Sequence, residues 1–120
     1  SECGCQAEIG TASSMAAALV AVVKGYSIDD IERAAEIALE HQLGLTCDPV
    51  EGYVQIPCIE RNAVAALRAL ESASLVELFG DRNSKISFDV VVETRRQTGL
   101  YLNRNYRETS QGGLARNYKE

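Results

Sequence analysis

Between Glu8 and Lys24 the chain carries no charged side chain, and this stretch is crowded with small residues: Gly10, Ala12, Ser13, Ala16, Ala17 and Ala21. Closed by Lys24-Gly25, it predicts a helix from Gln6 to about Val23, because a glycine just past a basic residue is a helix C-terminus signal. Small side chains let neighbouring helices approach closely, so this helix is expected to be central and buried, with the rest of the chain packed around it. It is shorter than the ~20 apolar residues of a membrane span, and it contains Thr11, Ser13 and Ser14. No membrane anchor is expected, and neither the basic flank nor the cleavage pattern of a signal peptide is found.

The next segments also follow helical spacing. Ser27, with Asp30 three positions on and Asp29 and Glu32 in the first turn, predicts a capped start. Ile28, Ile31, Ala35, Ala38 and Leu39 then share one face, opposite Asp29, Glu32, Arg33, Glu36 and Glu40, and the helix ends near Gly44. Residues 45–57 hold both prolines, Pro49 and Pro57, together with Gly52, which predicts an ordered loop or short extended piece. A third helix is expected from Cys58 or Ile59 to Phe79, its apolar face made of Ala63, Ala66, Leu67, Leu70 and Ala73, and Gly80 closing it. Asp81 to Lys85 reads as a polar turn. Ser87 and Asp89 open a last helix to about Leu102; Val90-Val91-Val92 favours a strand locally, but no second run of that kind exists to pair with it. The tail from Asn103 reads as irregular. The expectation is one all-α domain spanning 1–120, with about four helices and a proline-bounded loop.

With 120 residues, 46% hydrophobic and 24% charged, the chain can bury a core without staples. Its net charge of −5 argues against a nucleic-acid partner, which calls for a basic field. The four cysteines could form a secreted disulfide framework, but such domains are usually poor in core, and these helical patterns supply one. A reduced, cytoplasmic setting is the expectation. The chain starts at Ser1 without an initiator methionine, which suggests a piece of a longer polypeptide.

Cys5, Cys47 and Cys58 each lie where a loop meets a helix. That placement suits metal ligation better than packing. Thiolate is the ligating species, and a helix N-terminus, where Cys5 and Cys58 are expected, lowers a thiol's pKa. The residues alone leave several uses open: zinc, an iron-sulfur cluster, a reversible disulfide in a redox-sensing module, or plain core packing. Three thiolates on a four-iron cluster would leave one iron open as a Lewis acid.

The runs Gly4-Cys5-Gln6-Ala7-Glu8-Ile9-Gly10, His41-Gln42-Leu43-Gly44-Leu45-Thr46-Cys47-Asp48-Pro49-Val50 and Val54-Gln55-Ile56-Pro57-Cys58-Ile59-Glu60-Arg61-Asn62-Ala63 narrow the choice. Together they resemble the α-chain of iron-sulfur-dependent bacterial L-serine dehydratase. The likeness continues through Tyr106-Arg107-Glu108-Thr109-Ser110 and Gly112-Gly113-Leu114-Ala115, so it covers essentially the whole chain, which looks like the C-terminal part of that α-chain. The resemblance implies a helical catalytic domain holding a 4Fe-4S cluster through Cys5, Cys47 and Cys58. It implies conversion of L-serine to pyruvate and ammonia without pyridoxal phosphate: an open iron polarises the substrate hydroxyl, a protein base takes the α-proton, and water leaves. It also implies that the remaining α-chain and a β portion are partners, and it is compatible with a homo-oligomer. Cys3 has no assigned ligand role and reads as a spare thiol, the alternative being a fourth ligand. The tail lacks the terminal cysteine that some relatives carry.

Other candidates carry two readings each. His41, the only histidine, is a general base or a hydrogen-bonded residue at a helix end. Glu8 orients the substrate ammonium or complements its helix dipole. Arg61 and Asn62 bind the substrate carboxylate, or Arg61 simply pairs with Glu60 or Asp48. Asp48 accepts backbone N–H groups in its loop. Ser110, Gly112 and Gly113 offer backbone donors to an anion or belong to a flexible tail.

Overall fold

The computed structural model describes residues 2–80 and 84–119, and these contain helices and turns but no strand. Helix α1 spans Cys5–Val23, α2 Ile28–Glu40, α3 Cys58–Phe79, α4 Phe88–Tyr101 and the short α5 Gly113–Asn117. Single 3-10 turns lie at Val50–Gly52 and Arg104–Tyr106. The all-α expectation holds, with four long helices and one short one among the described residues. The polar turn expected at Asp81 to Lys85 falls partly on residues 81–83, outside the described residues.

The boundaries follow from local chemistry. Ser27 Oγ accepts the Asp30 N–H at 3.2 Å and Ser87 Oγ the Val90 N–H at 3.3 Å, capping α2 and α4. Gly80 closes α3 with a positive φ of 60°. The three valines at 90–92 stay helical: the segment has no strand partner, and only Val91 of the three is fully buried.

Helices α1, α2 and α3 pack against one another, while α4 lies mainly on α2. Their core consists mostly of alanines: Ala17, Ala21, Ala34, Ala38, Ala69 and Ala73, joined by Ile37 and Val76. Alanine contacts bring the helix axes close enough for Ser13 Oγ to donate to the Ala65 carbonyl of α3 at 2.9 Å and Ser14 Oγ to the Ala35 carbonyl of α2 at 2.8 Å. By length and apolarity α1 could cross a membrane; here it holds this bundle together.

Two expected faces need correction. On α3 the buried positions are Cys58, Ala65, Ala69, Ser72, Ala73 and Val76, so of the anticipated face only Ala73 turns inward. Ala63, Ala66, Leu67 and Leu70 point out, because the small residues of α1 and α2 select small partners and leave the leucines outside. Likewise α1 is buried on one face only: Met15, Leu19, Val22 and Val23 stay exposed. On α2, Ile28 is exposed, whereas Glu36, placed on the polar face by its spacing, is 3% exposed, and its Oε1 has no hydrogen-bond partner among the described residues. Glu36 lines a recess together with Ser87 and Phe88 at the start of α4. The bundle measures 48 × 26 × 17 Å. Its thinnest dimension is below two helix diameters of ~10–12 Å, so most helices keep an outward face.

Candidate functional site

The site is built where the start of α1, the loop after α2 and the start of α3 converge. Gly4 precedes α1 with φ 79°, and a Cβ there would overlap the Leu45 carbonyl oxygen. Only glycine permits that approach, and it brings the loop carrying Cys47 against Cys5. Gln6, fully buried, fastens the junction: its Oε1 accepts the Gly44 N–H at 2.9 Å, and its Nε2 donates to the carbonyls of Cys3 at 2.9 Å and Arg95 at 3.4 Å. At the next corner the loop passes through a cis Ile56–Pro57 bond, and α3 starts at Cys58.

Cys5, Cys47 and Cys58 are 3%, 6% and 7% exposed. All four cysteines are free thiols. Cys5 and Cys47 share one buried cluster with Ile9 and Ala65, and Cys5 and Cys58 each lie near enough to Cys47 to interact with it electrostatically. Cys3 rests on Gly99 of α4, its Cβ and Sγ filling the space a side chain there would need. Among the described residues no group of three or more His, Cys, Asp or Glu side chains is close enough together to hold a metal ion.

The expectation that the helix starts lower the thiol pKa values is overturned. Burial first, then the neighbouring Cys47, pushes Cys5 up to about 11, and the Arg61 guanidinium offsets this only in part. Cys58 is raised by the same two causes in the same order. Desolvation outweighs the helix start here.

Arg61, one turn into α3, reaches back over the trio. Its Nη1 donates to the Thr46 carbonyl at 2.7 Å and to Cys5 Sγ at 3.6 Å; its Nη2 donates to Asp48 Oδ1 at 3.0 Å. Of the two ion pairs weighed for it, the structure forms the one with Asp48. Burial works against the guanidinium's charge, but the bonds it donates to Cys5 and Asp48 prevail and hold its pKa above the ordinary value. Burial alone would likewise raise the Asp48 carboxyl; the Leu114 N–H, Arg61 and Thr46 together pull it below its ordinary value.

The remaining candidates are less convergent. Asn62 Nδ2 donates to the Cys58 carbonyl at 2.8 Å, within its own helix. Glu8 is exposed in the first turn of α1, near enough for its charge to act on Cys58. His41 caps the C-terminus of α2 with Nδ1 2.9 Å from the Ile37 carbonyl. A carbonyl only accepts, so in the neutral ring Nδ1 carries the proton and Nε2 the lone pair.

The tail, expected to be irregular, is instead ordered against the loop. The Cys47 N–H donates to the Tyr106 carbonyl at 2.8 Å, and the Thr109 N–H donates to the Cys47 carbonyl at 3.1 Å. Leu114 N–H donates to Asp48 Oδ2 at 2.6 Å. Residues 106–114 are thus held by the Cys47 backbone and by Asp48, a buried acceptor some sixty residues away. Sequence reading missed Gln6, Thr46 and Leu114 as parts of the site; of these only Gln6, a lone amide in a small-residue run, carried a visible signal.

Fold and site together define an all-helical domain that holds three buried thiols beneath one arginine. The family described as serine dehydratase alpha chain matches residues 1–115, and this chain belongs to that family. It is 52% identical over 119 residues to the L-serine dehydratase of Streptomyces coelicolor, covering 99% of this chain and 26% of that protein. L-serine dehydratase 1 of Escherichia coli is 53% identical over 114 residues, covering 95% of this chain and 25% of the relative. The Helicobacter pylori L-serine dehydratase is 52% identical over 118 residues, with 98% and 26% covered. The chain thus spans about a quarter of the length of the curated relatives it matches.

Proposed function

We propose that this chain is the iron-sulfur-binding part of an L-serine dehydratase, in which Cys5, Cys47 and Cys58 are the three protein ligands of a 4Fe-4S cluster. The observation that carries the reading is the gathering of three buried thiols from three separate elements around Arg61. An all-thiol donor set suits a soft metal or an iron-sulfur cluster rather than a hard oxygen-seeking cation. When bound, such a cluster supplies Lewis acidity at the iron that lacks a protein ligand, which favours departure of the serine hydroxyl as water.

The chain's own residues have distinct parts. Arg61 fixes Cys5 and the Thr46 carbonyl, so it holds the ligand cage; with its donors directed there, it is a weaker candidate for the substrate carboxylate. Glu8, exposed beside Cys58, is the candidate for the substrate ammonium. His41, with its lone pair on Nε2, is the candidate acceptor of the α-proton. Asn62 steadies the first turn of α3 behind Cys58.

The rest of the active site comes from the remaining α-chain and the β portion. The support is the covered quarter of the relatives' length together with the apolar faces left outside: Met15, Leu19 and Val22 on α1, Ile59, Val64, Leu67 and Leu70 on α3. Exposed large apolar residues at helical spacing on two helices mark interaction surfaces. The setting is reducing and cytoplasmic, where thiolate ligands persist.

Anaerobic reconstitution of the natural protein, followed by optical and electron paramagnetic spectroscopy, tests the reading. A cluster signal that changes on adding L-serine supports it. Zinc alone, a serine-insensitive signal or no metal at all refutes it.

A further inference from the structure

The tail meets the site at two consecutive residues, the Cys47 backbone and the Asp48 side chain. Asp48 is 3% exposed, and its two carboxylate oxygens are bonded in different directions. Oδ1 accepts from Arg61 Nη2 and from Thr46 Oγ1, both at 3.0 Å, and Arg61 in turn donates to Cys5 Sγ. Oδ2 accepts from the Leu114 N–H at 2.6 Å. The backbone N–H and carbonyl of Cys47, the residue before, are both bonded to the tail, at Tyr106 and Thr109. Gly113 has φ 56°, and a Cβ on it would overlap the Asp48 carboxylate. The glycine is therefore required by the close approach as well as by the backbone conformation.

We propose that Asp48 is a positioning residue: it clasps the tail at Gly113-Leu114 to the Arg61 cage, and this clasp sets the orientation and accessibility of Cys47 and Cys5. It touches no reacting atom and works through Cys47, its neighbour in sequence, and Arg61. Gly112-Gly113 then serves the thiol site as the seat of a carboxylate, rather than as a donor pair for a free anion. The clasp gains relevance to catalysis from the reading of Cys47 and Cys5 as ligands, but its existence is measured without any cluster.

The test is the alkylation rate of each thiol by iodoacetamide, in metal-free natural protein kept reduced and anaerobic, with every cysteine quantified by peptide mass spectrometry. Gly113→Ala crowds the carboxylate while leaving Arg61 in place. Leu114→Pro removes the donor at a position where a helix start tolerates proline, and it decides the matter if Gly113→Ala does not fold. Ala73→Gly, in the distant core of α3, controls for general destabilisation. The expected result in the clasp variants is an increase of about tenfold in alkylation of Cys47, the scale of one lost charge-assisted hydrogen bond, with a smaller rise at Cys5 and an unchanged rate at Cys3. An unchanged Cys47 rate, or a uniform rise of all four thiols matching the Ala73→Gly control, overturns the proposal. In protein reconstituted with iron and sulfide, the clasp variants also show an altered paramagnetic spectrum at equal iron content. If the thiol pattern appears but no cluster forms in the parent protein, the clasp stands and the cluster assignment falls.

Discussion

Replacing Arg61 by alanine separates a cage residue from a substrate-binding one. In the structure the Arg61–Asp48 pair is largely out of water, with the two side chains 19% and 3% exposed. Removing one member of a buried pair typically costs ~3–5 kcal/mol, because the other charge is left behind. Asp48 would keep Thr46 Oγ1 and the Leu114 N–H, which places its share near the lower figure, about 3 kcal/mol. The Thr46 carbonyl loses its 2.7 Å donor, adding roughly 1 kcal/mol. Arg61→Ala is thus expected to destabilise the cluster-free, reduced protein by roughly 4 kcal/mol, a large part of a typical domain's ~5–15 kcal/mol. Arg61→Lys keeps the charge but not the fork, so it should lose about half as much. Urea unfolding followed by circular dichroism gives the numbers. Repeating it in 1 M salt should change them little, since buried pairs are weakly screened. A double-mutant cycle with Asp48→Asn should show strong coupling. A loss below ~1 kcal/mol, with the effect confined to KM for serine, would contradict the cage role and return Arg61 to the substrate.

Four further outcomes are expected. Glu36 is held up at about 7 by burial and then by its bond to Glu40; its folded form therefore binds the proton more tightly than the unfolded chain. Stability should be full below about 4.5 and fall as pH rises through about 7, by up to roughly 3 kcal/mol; Glu36→Gln should flatten that slope in pH-dependent urea titrations, and a slope equal to that of the parent would count against it. Gly4→Ala, which forces a Cβ toward the Leu45 carbonyl oxygen at φ 79°, should cost about 1–3 kcal/mol and reduce iron incorporation; normal stability would show that the loop can yield. His41→Asn should lower kcat on the order of 10²-fold or more with the cluster spectrum intact, and near-normal turnover would exclude His41 as the base. The 120-residue chain alone, with its outer leucines uncovered, should bind a hydrophobic dye and show no appreciable serine turnover after reconstitution; robust turnover would mean that no further part is needed.

The helices were legible because their signals are local: Ser27 and Ser87 as caps, Gly25 and Gly80 as stops, Pro49 and Pro57 as brackets around the ligand loop. The inward faces were harder. Burial on α3 was decided by partner size, so Ala65, Ala69 and Ser72 went in while Leu67 and Leu70 stayed out, and a pattern of hydrophobicity alone ranks the leucines first. Glu36 was hidden because the start of α4, from a distant part of the chain, lies beside it on the side of α2 that spacing marks as polar. In the site, the three cysteines could be named from sequence, but their raised pKa values could not, since desolvation depends on what packs around them. The ordered tail was hidden for a related reason: its anchors, Tyr106, Thr109 and Leu114, bond mainly through backbone atoms to residues 47 and 48, and backbone bonding at long range leaves no mark on residue type.

The most direct measurement of the central claim is iron content and Mössbauer spectroscopy on anaerobically reconstituted natural protein carrying single Cys→Ser changes at positions 3, 5, 47 and 58. Cys3→Ser should retain a four-iron cluster with one distinct iron that responds to L-serine, while Cys5→Ser, Cys47→Ser and Cys58→Ser should each lose most of the bound iron. A cluster that survives any of those three changes, or one that disappears with Cys3→Ser, would contradict that claim.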